Sequence, residues 1–72
     1  MAVLLRRSED AETWRDDFDT RSRFIRLRFD HDLDVVTVAT ADHKDPWVSD
    51  GERYDSFEAA RVAYGLPPSE AP

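Results

Sequence analysis

Seventy-two residues, 36% charged and 40% hydrophobic, make one small domain that buries only roughly 60% of the surface its unfolded chain exposes. The absence of cysteine excludes a disulfide-stapled scaffold and a thiolate metal site, and a core of this size supplies only about 3–5 kcal/mol unaided, so a partner has room to add stability. The formal charge of −6 repels nucleic acid at long range and favours basic protein surfaces.

That charge is uneven. Residues 1 to 29 hold seven arginines against six acids, whereas residues 30 to 72 hold three basic residues against ten acids. Nine of the ten basic residues are arginine and there is no asparagine or glutamine, so the amide side chains that read adenine edges are missing.

Ala2 to Arg6 is a short apolar run, either a first strand or an arm lying on a sheet edge. It is too short for a signal peptide or a membrane span, and the expectation is a soluble, cytoplasmic protein with no membrane partner. Ser8 then reads as a helix N-cap, followed by Glu9, Asp10 and Glu12 at the positive end of the dipole. A helix is predicted over about residues 9 to 18, with Ala11, Trp14 and Phe18 as its apolar stripe. Asp16, Asp17 and Asp19 oppose the dipole at the far end, which predicts fraying or pairing with Arg21 or Arg23.

Ser22 to Ala41 has the pattern of a β-hairpin: an alternating run to Phe29, an aspartate-rich break, then a β-branched run. With His31 facing Asp34, Phe29 lies opposite Val36, Leu27 opposite Val38 and Ile25 opposite Thr40, so the apolar residues share one face. Arg26, Arg28 and Asp30 then share the other face with Val35, Thr37 and Ala39. Residues 42 to 46 form a loop ending in Pro46. Trp47 and Val48 begin a third strand, and residues 46 to 54 form either one bulged strand or a small hairpin turning at Ser49 to Glu52.

Asp55 as N-cap with Glu58 three residues later predicts a second helix with an acidic capping box. Phe57, Ala60, Ala63 and Tyr64 fall on its inner side, Gly65 ends it, and Leu66 folds back. Pro67 to Pro72 is expected to be a disordered tail beyond a single domain at residues 1 to 66. The predicted class is α+β: a small two-layer sandwich with a three-stranded antiparallel sheet, four-stranded if the leading run joins, and two helices on one face in the order (β)-α-β-β-β-α. That order resembles double-stranded-RNA-binding domains, whose basic helix start is replaced here by Asp55-Ser56-Phe57-Glu58-Ala59-Ala60. The phrase Tyr54 to Ala60 also resembles the sheet-to-helix junction of AP2-type DNA-binding domains, a generic strand-to-helix connection.

Chemistry is sparse. Asp30, Asp32 and Asp34 have the opening spacing of a calcium loop, but the required glycine and glutamate positions are Val35 and Ala41, so no metal is assigned. His31 and His43 sit among aspartates at opposite ends of one strand, on the order of 25 Å apart. No serine stands out as a nucleophile and no glycine-rich loop cradles phosphate, so no catalytic residue, cofactor or enzyme activity is expected. Arg21, Arg23, Arg26 and Arg28, with Phe24 among them, could contact phosphates and stack a base; the competing expectation is pairing with Asp30 and the aspartates of the first helix. Trp14 belongs to the core. Trp47 is either an interface anchor or a cover for the core edge.

The expected function is a small acidic, non-catalytic binding protein that occupies a partner protein's basic surface through Asp30, Asp32, Asp34, Asp42, Asp45, Trp47, Asp50 and Glu52. Phage-encoded inhibitors of host defence and nucleic-acid mimics work in this way. The alternatives are a nucleic-acid-binding module using the face of Arg26 and Arg28, and a homo-oligomer joined through exposed sheet edges.

Overall fold

The structure, a computed structural model, describes residues 2–18, 21–42 and 46–68. Five strands, β1 (Ala2–Arg7), β2 (Ala11–Phe18), β3 (Arg21–Asp30), β4 (Val35–Asp42) and β5 (Val48–Ser49), precede one short helix, α1 (Phe57–Ala63). The strands lie side by side in chain order, each antiparallel to its neighbour. An α+β arrangement of sheet plus helix stands, with two corrections: among the described residues the sheet has five strands, and one helix covers it.

The first correction concerns residues 9 to 18, which form β2 and the turn before it. Thr13 and Trp14 lose side-chain freedom in a helix, and Asp16 and Asp17 would oppose its dipole. As a strand the same residues pair on both sides, from Ala11↔Arg28 to Phe18↔Arg21 against β3 and from Ala2↔Asp16 to Arg7↔Glu12 against β1. Both ladders satisfy backbone groups that a frayed helix end would leave open. Ser8 is no helix cap: its N–H donates to the Ala11 carbonyl at 2.8 Å and closes the β1–β2 turn. The likeness in element order to double-stranded-RNA-binding domains ends with that helix.

Register in the central hairpin follows the hydrophobic alternation, pairing Phe29 with Val36, Leu27 with Val38 and Ile25 with Thr40. Ile25, Leu27, Val36 and Val38 are fully buried, and with Trp14, Ala60 and Leu66 they make the core beneath α1. Beyond the two residues of β5 the chain runs on alongside β4 to Tyr54 rather than turning back as a hairpin. Thr40 pairs Val48, Ala39 pairs Ser49, Asp50 N–H donates to the Val38 carbonyl, and Tyr54 bridges Val36.

Helix α1 starts one residue later than predicted. Ser56 is the N-cap, its hydroxyl accepting the Ala59 N–H at 3.0 Å, so Asp55 and Glu58 make no capping box. Ala63 is exposed, and Arg61 takes the inward position expected of it. At the other end Gly65 has φ of 66°, Leu66 N–H returns to the Arg61 carbonyl at 2.9 Å and Gly65 N–H to the Val62 carbonyl at 3.1 Å. This double return satisfies the last carbonyls and seats Leu66 in the core. Pro67 and Pro68 are exposed without regular structure, and the rest of the expected tail lies outside the described residues.

Candidate anion-binding face of the sheet

One face of the sheet is covered by α1, and among the described residues no helix or strand covers the other. Strand alternation sends Glu12, Trp14, Ile25, Leu27, Val36 and Val38 toward the helix and their neighbours away from it. Three cross-strand rows of the open face follow from the register: Val3, Arg15, Phe24 and Ala41; then Arg6, Thr13, Arg26, Ala39 and Ser49; then Ala11, Arg28 and Thr37.

A β-bulge builds the second row. Leu4 pairs with Trp14, but the next pair is Arg6 with Thr13, because Leu5 is an extra residue in β1. Without it, Arg6 would stand opposite Glu12 and face the helix, and Leu5 would occupy the open face. The insertion turns Arg6 outward and Arg7 inward, where Arg7 Nε lies 3.5 Å from Glu12 Oε2.

Arg6, Arg26 and Arg28, with Ser8, Ala11 and Thr13, line a depression of about 280 Å³. Among the described residues none of the three arginines has a carboxylate partner. Arg26 lies over the Trp47 ring, 4.5 Å from its centroid, and its Nε is buried with no hydrogen-bond partner among the described residues. A guanidinium held flat on an indole gains cation–π attraction and keeps its remaining N–H groups free to donate. Trp47 itself is 38% exposed, so it is half a cover and half a surface group.

The expected neutralisation of the arginines is therefore partial. Arg15 pairs with Asp17 at 3.1 Å and Arg23 with Asp16 at 3.4 Å, both acids from the stretch predicted as helix. The hydrogen bond from the Ser22 hydroxyl, then Arg15, hold the Asp17 carboxyl below the usual range. Arg26 and Arg28 escape because Asp30 is used elsewhere: its Oδ1 accepts the N–H groups of Asp32 at 2.9 Å and Leu33 at 3.2 Å, closing the β3–β4 turn.

Of the acidic residues proposed from sequence, those described lie at several places on the sheet's rim. Asp32 and Asp34 are exposed at the β3–β4 turn, where Asp34 takes φ of 58°, while Asp42 is at the far end of β4. Asp45 and His43 lie outside the described residues, and Glu52 is exposed in the stretch after β5. Asp50 turns inward and accepts the hydroxyls of Tyr54 at 2.8 Å and Tyr64 at 2.5 Å on one oxygen, and Glu52 N–H at 2.9 Å on the other. Burial opposes its ionisation, but the bonds from Tyr64, Glu52 and Tyr54 outweigh this and hold its carboxyl below the usual range. Burial, and then the same carboxylate, push the Tyr64 phenol well above its ordinary value.

His31 is exposed and its Nε2 lies 3.2 Å from Asp10 Oδ1, joining the β1–β2 and β3–β4 turns, with its ring edge-on to Phe29 at 4.8 Å. Among the described residues no three histidine or acidic side chains are grouped to hold a metal ion. Arg26 and Arg28, which the sequence places on the alternative nucleic-acid face, line one depression, and Trp47, which it places among the partner-binding residues, lies against Arg26. Arg6, Ser8 and Thr13 were not legible in the sequence; the only trace of Arg6 is the Arg6-Arg7 doublet, in which consecutive strand residues must face opposite ways.

Fold and face together define a single-sheet α+β protein with an open arginine-bearing surface, and among the described residues no helix is long and apolar enough to cross a membrane. Compared with protein-family models, curated proteins and solved structures, the chain matches none.

Proposed function

We propose that the chain is a small binding protein without catalysis, and that it binds single-stranded nucleic acid on the open face of its sheet. The observation that carries this is the set of Arg6, Arg26 and Arg28 on one surface, without carboxylate partners among the described residues, with the partly exposed Trp47 against Arg26. Guanidiniums suit phosphate oxygens, and aromatic rings on a sheet stack unpaired bases. The single strand is favoured over a duplex for two reasons. Stacking needs exposed base faces, and the acids at the sheet's turns oppose the denser charge of a duplex.

The net charge of −6 opposes nucleic acid at long range, and the internal ion pairs leave it unchanged because each takes an arginine with its acid. What supports the reading is where the charges sit, three arginines on the open face and Asp32, Asp34, Asp42 and Glu52 at the turns and edge. Glu12 is buried under the helix, Asp50 is held by two tyrosines, and Asp16 and Asp17 are paired with arginines. The remaining acids orient an incoming strand toward the arginine face and weaken its affinity. Binding to a labelled oligothymidylate at low salt tests the proposal. If the three arginines each neutralise a phosphate, log K falls with log salt at a slope of about −2. Arg26→Gln with Arg28→Gln should abolish binding, and absence of binding by the unmodified protein overturns the proposal.

A second reading, an acidic protein set against a basic partner, is supported by the exposure of Asp32, Asp34, Asp42 and Glu52. It predicts binding to polyarginine that is lost in Asp32→Lys with Asp34→Lys. That result, without oligothymidylate binding, would replace the first reading.

A further inference from the structure

We infer that Arg6, Arg26 and Arg28 form a phosphate cradle, and that the bulge at Leu5 exists to complete it. The inference rests on the proposed use of the open face and names the group recognised there. Three guanidiniums reach one depression from β1 and β3, across the intervening β2, with the hydroxyl residues Ser8 and Thr13 on its wall. Among the described residues no acid lines this depression, although Arg28 also borders Asp30 and Asp32 on its other side; like charges so gathered repel one another, and a bound anion relieves that repulsion. The Nε of Arg26 is buried and unpartnered among the described residues, as are those of Arg23 and Arg61, so the donors left for a ligand are the outer guanidinium N–H groups of Arg6, Arg26 and Arg28.

The bulge is the second, independent observation. Regular pairing beyond Leu4 would pair Arg6 with Glu12 and close the cradle's third side with Leu5. One inserted residue supplies Arg6 to the open face and Arg7 to Glu12 at once, so the irregularity serves the site and the core together. An arginine fork takes a phosphate through two parallel N–H bonds, which fits a phosphodiester or a terminal phosphate equally. The shared chemistry is the phosphate group.

The test is an NMR titration of the full chain with inorganic pyrophosphate at low salt, following the arginine Nε–H signals, with Arg6→Gln as the variant and Arg53→Gln as a control on an exposed arginine elsewhere. Saturable shifts at Arg6, Arg26 and Arg28, weakened about tenfold or more by Arg6→Gln and unchanged by Arg53→Gln, support the cradle. Shifts that never saturate, or that appear equally at Arg53, overturn it as mere charge screening. A parallel titration with oligothymidylate separates the sources. Oligothymidylate binding that Arg6→Gln leaves unchanged overturns the cradle and spares the nucleic-acid proposal. Saturable pyrophosphate binding without oligothymidylate binding supports the cradle for a small phosphorylated ligand and overturns that proposal. Binding of neither overturns both.

Discussion

Glu12 on β2 and Arg61 on α1, 49 positions apart in the chain, meet at 2.8 Å beneath the helix. Glu12 is 6% exposed, and it also accepts the Trp14 indole N–H at 3.0 Å and faces Arg7 Nε at 3.5 Å. This carboxylate is the polar centre of the interface between sheet and helix. Removing it leaves Arg61 buried without a counter-charge, a change that costs about 3–5 kcal/mol. Since the whole domain is worth little more, Glu12→Ala should be largely unfolded at room temperature by urea titration, while Glu12→Leu with Arg61→Leu should recover most of the loss.

The same residue shows where sequence pattern stops being sufficient. Ala11, Trp14 and Phe18 have helical spacing, and a charged Glu12 two positions before Trp14 argues against an inward strand face. Glu12 points inward only because Arg61 and Arg7 reach it, the one from the far end of the chain and the other through the bulge at Leu5. Neither relation is visible locally. The β3–β4 register is legible because the first run alternates and the second carries Val36 and Val38 two apart, so a one-residue slip would expose both. For the candidate site, Arg26 and Arg28 could be placed from that alternation, whereas the position of Arg6 depended on an insertion that local periodicity does not encode.

The Asp50 clamp predicts a stability profile with two limbs. Asp50 has a folded pKa below its ordinary 3.8, so its contribution is present above that value and is lost as pH falls through the folded pKa. Tyr54 and Tyr64 have folded values above the ordinary 10.0, so their contribution is complete below pH 10.0 and is lost as the unfolded chain ionises above it. Urea midpoints should therefore fall below about pH 4 and again above about pH 10. Tyr64→Phe should flatten the alkaline limb and lower the plateau by about 1 kcal/mol, the typical value of one hydrogen bond.

Gly65 tests backbone conformation apart from packing. An added Cβ would meet nothing within 4 Å, yet φ is 66°, a conformation that side chains other than glycine resist. Gly65→Ala should cost about 1–2 kcal/mol through the backbone alone. Because the return of Leu66 to the Arg61 carbonyl depends on this conformation, amide exchange at Leu66 should accelerate more than at Ala60.

On the open face, arginine and tryptophan substitutions should separate by their salt dependence. Arg28→Gln removes one phosphate contact, so the slope of log K for oligothymidylate against log salt should become shallower by about 0.7. Trp47→Ala removes a stacking surface and no charge, costing about 1–3 kcal/mol of binding with the slope nearly kept. Trp47 also holds the Arg26 guanidinium at 4.5 Å, so its loss frees that side chain. Trp47→Phe, which keeps a ring under Arg26, should recover part of the affinity. Anisotropy titrations at several salt concentrations measure both quantities, and a slope that shifts as much in Trp47→Ala as in Arg28→Gln would show that Trp47 acts by placing Arg26 rather than by stacking a base.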